Sequence, residues 1–145
     1  MAHDLEATVT LREGMAFTAT SGSGHDILLD TKPSGGGQNL GPSPMELLLM
    51  GTAGCTAMDV ISILRKMRQD VTAYQVQIHG ARTQTEPRVF TDITIEHIVT
   101  GHHIDEAAVQ RSIDLSVTKY CGAYTIMSKT AQITTTHRII EAEMD

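Results

Sequence analysis

Tryptophan is absent, and aromatic residues make up only 3% of the 145-residue chain. A core without large rings must be built from Ile, Leu, Val, Ala and eight Met, whose flexible thioethers fill irregular gaps. Positive charge is scarce as well: 11 Lys and Arg stand against 17 Asp and Glu, giving a net charge of −6. No basic stripe runs along the chain, so neither nucleic-acid phosphates nor anionic membrane surfaces are expected as partners. The densest cationic group, Arg65, Lys66 and Arg68, falls at the predicted end of a helix, where cations face the negative end of the macrodipole. The opening MAHDLEATVT carries acidic residues and no apolar run. It reads as neither a signal nor a transit peptide, so a cytoplasmic protein is expected. Cysteine is rare: Cys55 and Cys121 are the two, too far apart for a CxxC pair. In a reducing compartment such thiols point to free, catalytic or metal-binding roles rather than to a structural staple.

An apolar fraction of 41% and a charged fraction of 19% are those of an ordinary globular chain, and the length suits one domain spanning 1–145. Residues 6–11, 15–20 and 25–30 read as three short strands of one meander, separated by Glu13-Gly14 and by the Ser-Gly repeat at 21–24. Residues 31–41, TKPSGGGQNLG, read as a flexible loop with neither a P-loop nor a GxGxxG phosphate-binding pattern. Ser43-Pro44-Met45-Glu46 is a helix start, with Ser43 as N-cap, Pro44 at the first helical position and Glu46 completing a capping box. The helix runs to about Arg68. From Leu47 to Leu64 its single charge is Asp59, so it is expected to be buried on every face. Its length admits a membrane-spanning reading, but Gly51, Gly54, Asp59 and Ser62 dilute the run, which favours a central helix enclosed by sheet or by a second subunit.

Residues 71–83 and 88–100 alternate and are rich in β-branched side chains, predicting a long hairpin through 84–87. Asp105 caps a second helix to about Tyr120, with Val109, Ile113, Val117 and Cys121 along one face. A short third helix at 123–131 and a strand at 133–140 complete the order βββ-α-ββ-αα-β. Hairpins with few crossovers predict an α+β fold of antiparallel sheets packed around a long central helix.

Taken singly, Cys55 in Ala53-Gly54-Cys55-Thr56-Ala57 and Cys121 at the end of an apolar face each read as small buried hydrophobes. The block GPSPMELLLMGTAGCTAMDV, followed by KYCGAYTIMSKTAQI, resembles the OsmC-like superfamily of osmotically induced and organic-hydroperoxide-resistance proteins. Ser23-Gly24-His25, Pro42–Glu46, Arg68–Val71 and Ile113–Ser116 are similar to its YhfA branch. The resemblance implies an intertwined homodimer with thiol sites near the subunit interface. It also implies a two-cysteine peroxidase cycle: Cys55 attacks a small hydrophobic hydroperoxide, Cys121 resolves the sulfenic acid, and a dithiol reductant resets the pair. No cofactor and no metal are implied.

Two family features are displaced. The hydroperoxidases carry a Glu ten residues before the reactive Cys, where this chain has Met45, and Glu46 lies one residue, about 100° of helix, away. The family's Arg has no fixed counterpart; Arg12 is the one Arg of the N-terminal meander. A thiol without a cation is less acidic, so at most a slow peroxidase is expected. His25, His79, His97, His102, His103 and His137 form no ligand spacing and read as solvent-exposed turn histidines. Asp59, one turn after Cys55, either takes a thiol proton or pairs with a cation such as Arg65 or Arg111. Tyr120 and Tyr124 flank Cys121. The competing expectation is a non-catalytic dimer binding a small hydrophobic molecule at its interface, with both thiols merely buried.

Overall fold

The computed structural model describes residues 4–144. It divides into two compact units, 1–48 and 49–145. In the first unit, β1 (Ala7–Leu11), β2 (Phe17–Ser21) and β3 (Asp26–Leu29) form the expected antiparallel meander. The following glycine-rich segment is less free than its composition suggests. The buried Asp30 carboxylate accepts the backbone N–H groups of Thr31, Gln38 and Leu40 at 2.7–3.1 Å and so closes residues 31–40 into an ordered loop. Gly36 turns there at φ 89°, and a Cβ on Gly37 would lie 2.1 Å from the Thr31 carbonyl oxygen, so neither position takes a side chain without strain.

Helix α1 (Pro44–Lys66) opens with the anticipated capping box. Ser43 Oγ accepts from the Glu46 N–H at 3.2 Å, and Glu46 Oε1 accepts from the Ser43 N–H at 2.9 Å. These bonds hold the Glu46 carboxyl below its ordinary pKa, the Ser43 backbone N–H first. By length and composition the helix is apolar enough to cross a bilayer. Within the chain it is not buried all round, as its composition predicted. Its buried residues are Thr52, Thr56, Val60 and Leu64, spaced one turn apart, whereas Met50 and Met58 are exposed. That single stripe is what the chain itself covers.

In the second unit β4 (Asp70–Arg82) and β5 (Phe90–His102) pair as the predicted antiparallel hairpin. One pairing departs from the antiparallel expectation. β6 (Gln132–Glu141) joins the far side of β5 in parallel, because α2 (Glu106–Leu115), a π-helical turn (Ser116–Tyr120) and α3 (Gly122–Met127) form a crossover between them. β5 is therefore the middle strand of a mixed sheet, and its Ile93, Ile95, Ile98 and Val99 are all buried. Val60 and Leu64 pack with Val99 and with Ala108, Val109 and Ile113 of α2 in one core cluster. Asp105 caps α2 as expected, accepting from the Ala107 N–H at 3.0 Å.

Candidate functional site

Two local features place the thiols. Cys55 lies midway along α1, flanked by small residues and half-buried. Cys121 does not continue the face of α2, as a regular helix to Tyr120 would require. At Ser116–Tyr120 the backbone widens into a π-turn, with the Cys121 N–H bonded to the Ser116 carbonyl at 2.8 Å. Adding a residue to the turn rotates everything after it, a device common where side chains must be re-aimed. Cys121 then becomes the N-cap of α3, 2% exposed, and its Sγ accepts the Tyr124 N–H at 3.3 Å.

This arrangement brings together residues far apart in sequence. Sγ of Cys55, Sγ of Cys121 and a carboxylate oxygen of Asp59 all lie within 4.8 Å of one another. Asp59 follows Cys55 by one turn on the same helix face. Its Oδ2 accepts from the buried Ser116 Oγ at 2.9 Å, and Ser116 Oγ in turn lies 2.8 Å from Thr56 Oγ1. Among the described residues no ion pair joins Asp59 to Arg65 or Arg111; a hydroxyl takes the place of the anticipated cation. Thr56 and Ser116 were missed at the sequence level. Each is an ordinary helix residue there, and only a crossing of α1 with the π-turn makes them partners.

Burial divides the two thiols. Burial pushes the Cys121 thiol up to about 11; the Tyr124 N–H opposes this, while hydrogen bonding and charge at Cys55 and the Asp59 carboxylate add to it. No cation is among these influences. Cys121 is thus a protonated, enclosed thiol, and Cys55 is the more accessible of the pair. Both cysteines carried forward from the sequence meet in one site. Glu46 is engaged in its capping box, Arg12 sits in the exposed β1–β2 turn, and Tyr124 touches Cys121 through its backbone. His102 Nδ1 and the His103 N–H, at the end of β5, both address Glu141 at the end of β6.

A second polar pair, part-buried, lies in the β4–β5 hairpin. The Tyr74 hydroxyl is 2.6 Å from His97 Nδ1, and the rings stack with centroids 6.1 Å apart. Burial, then the charge of Asp59, raises the Tyr74 pKa, while burial and His137 lower that of His97 to about 4. The sequence grouped His97 with solvent-exposed turn histidines; it is instead buried within β5, and its Tyr74 partner on the neighbouring strand is invisible to local sequence.

Comparison with known proteins agrees with this architecture. The model of the OsmC-like protein family matches residues 35–136, a span that includes both cysteines and Asp59. Protein YhfA of Escherichia coli (strain K12) is 42% identical over 138 residues, 95% of this chain and 100% of that protein. A crystal structure of a protein from Aquifex aeolicus superposes with a TM-score of 0.86 at 25% identity, covering 98% of this chain and all of the other. An organic hydroperoxide resistance protein, OsmC, from Legionella pneumophila shares the fold at a TM-score of 0.70 and 12% identity, over 94% and 98% of the two chains. With a family model covering most of its length and a 42% identical relative aligned end to end, the chain belongs to the OsmC-like protein family.

Proposed function

We propose that this protein is a thiol-dependent redox protein that reduces organic hydroperoxides slowly through a Cys55–Cys121 cycle. The observation that carries the proposal is the approach of the two sulfurs to within 4.8 Å, across 66 residues of sequence. Cys55, the less buried thiol, attacks the hydroperoxide O–O bond as thiolate, becoming a sulfenic acid and releasing an alcohol. The Cys121 sulfur then attacks the Cys55 sulfur; its thiol proton leaves with the sulfenic hydroxyl as water, and a disulfide remains. Two thiols of an external reductant restore the pair by exchange. The high pKa of Cys121 suits a resolving rather than an attacking role, since at neutral pH only about one molecule in ten thousand carries that thiolate. Met45 stands at the family's Glu position and no Arg matches the family's, so the cycle is slow.

The protein works as a homodimer in the cytoplasm on this reading. Supporting the dimer are the exposed Met50 and Met58 of α1, 55% and 74% accessible, on a helix whose composition is that of a buried one. A second reading, binding of a small hydrophobic molecule without chemistry, draws on an apolar cavity of about 280 Å³ in the first unit between Val9, Met15, Phe17 and Leu29. One equivalent of cumene hydroperoxide followed by thiol counting separates the two. The redox reading predicts loss of both thiols, recovery with dithiothreitol, and retention of Cys121 in Cys55→Ser. Two unreacted thiols in the folded wild-type protein would instead favour the binding role.

A further inference from the structure

We propose that Cys55, Cys121 and Asp59 in the reduced protein form a binding site for a thiophilic divalent cation of the Zn2+ class, and that this cation competes with the Cys55–Cys121 disulfide. The metal binding stands on the geometry alone; the competition rests on the redox reading above.

Three ligand atoms of the right kinds converge within 4.8 Å of one another. In a tetrahedral zinc site, metal–sulfur bonds of about 2.3 Å and metal–oxygen bonds of about 2.0–2.2 Å place ligand atoms roughly 3.5–3.8 Å apart. The trio therefore needs to contract by only about 1 Å. Cys55 and Asp59, one turn apart on one face of α1, form a chelating pair on a rigid element, and Cys121 closes the site from the helix junction.

The surroundings hold these groups as an outer shell holds metal ligands. Ser116 donates to Oδ2 of Asp59 and so fixes the orientation of the carboxylate. The Tyr124 N–H donates to Cys121 Sγ, as backbone amides do to metal thiolates. Charge argues in the same direction. Asp59 is the one charged residue of α1 between Leu47 and Leu64, and the ion pairs among the described residues do not include it. A divalent cation supplies that missing positive charge and would deprotonate both neighbouring thiols. Two sulfurs and one oxygen select a borderline-soft ion over Mg2+ or Ca2+, which require oxygen cages. Three protein ligands leave a fourth position for water, and it is reachable because Cys55 and Asp59 are only partly buried.

Binding consumes two thiols and one M2+ and releases two protons, with no change in oxidation state. Disulfide formation withdraws the same two sulfurs, the hydroperoxide accepting two electrons and leaving as alcohol and water, so each state excludes the other.

The test is titration of the reduced full-length protein with Co2+ without oxygen. The proposal predicts a 1:1 complex with thiolate-to-cobalt charge-transfer absorption, a Kd of about 1 µM or tighter, and displacement by Zn2+. Cys55→Ser should abolish the band, and Asp59→Asn should weaken binding at least tenfold. If Asp59→Asn fails to fold, alkylating the partly buried Cys55 in folded wild-type protein gives the same readout, loss of the band. Absence of charge-transfer absorption with excess Co2+, or a band that survives loss of Cys55, overturns the site. The hydroperoxide thiol count is independent of it: a disulfide without metal binding sinks only the metal site, and metal binding without a disulfide sinks only the redox cycle.

Discussion

His97 is completely buried on β5, held at Nδ1 by the Tyr74 hydroxyl, and its Nε2 has no hydrogen-bond partner among the described residues. A proton on this ring would be an unsolvated charge, so burial above all, with His137 adding, lowers its pKa from 6.5 to about 4. In the unfolded chain the same imidazole titrates near 6.5. Between these values the unfolded state binds a proton that the folded state refuses, so the stability contributed by neutral His97 is complete above pH 6.5 and is lost as pH falls toward 4. A difference of about 2.5 units at roughly 1.4 kcal/mol per unit gives a ceiling of about 3.5 kcal/mol. Tyr74 does not add to this titration, since its own pKa is raised and its phenol stays protonated throughout. Other ionisable groups contribute to the absolute slope, so the comparison with a His97 variant is decisive. Urea denaturation from pH 7 to pH 4.5 should show the wild type losing roughly 2.5 kcal/mol more than His97→Gln, which keeps a neutral polar group but cannot titrate. Parallel stability profiles for the two proteins would refute the assignment of a buried neutral imidazole.

Other outcomes follow from the packing. Leu64→Ala empties a fully buried position in the α1–β5–α2 cluster and should cost about 2–4 kcal/mol in urea denaturation. Ser116→Ala leaves the Thr56 hydroxyl and the Asp59 carboxylate without their shared partner and should cost about 2–4 kcal/mol by the same assay, with secondary structure retained in circular dichroism. Sedimentation equilibrium should return twice the 15.7 kDa chain mass for the proposed homodimer, and Met58→Glu should shift it toward the monomer.

Elements governed by local chemistry were legible in the sequence. The capping box at Ser43 and Glu46 and the Asp105 cap are short-range hydrogen-bond patterns written in consecutive residues, and both occur as read. The alternating runs at 71–83 and 88–100 gave β4 and β5 to within about two residues. What the sequence concealed depends on distant partners. The composition of 31–41 said loop, but its order comes from Asp30, one carboxylate answering three amides. Nothing local distinguishes SVTKY as π-helical, and alternation in 133–140 cannot tell a parallel from an antiparallel neighbour. The site was half legible: resemblance singled out Cys55 and Cys121, and helical spacing put Asp59 beside Cys55. The hydroxyls of Thr56 and Ser116 became part of it only through tertiary packing.

The claim on which the function turns is that Cys55 and Cys121 of one chain can bond to each other. Reduced protein treated with one equivalent of organic hydroperoxide, blocked with an alkylating agent and digested without reduction allows the cross-linked peptides to be weighed directly. The account predicts a peptide pair joining Cys55 to Cys121, two hydrogens lighter than its parts, within a chain of monomer mass on denaturing gels. Cys55 driven to sulfinic acid while Cys121 is recovered alkylated would contradict it.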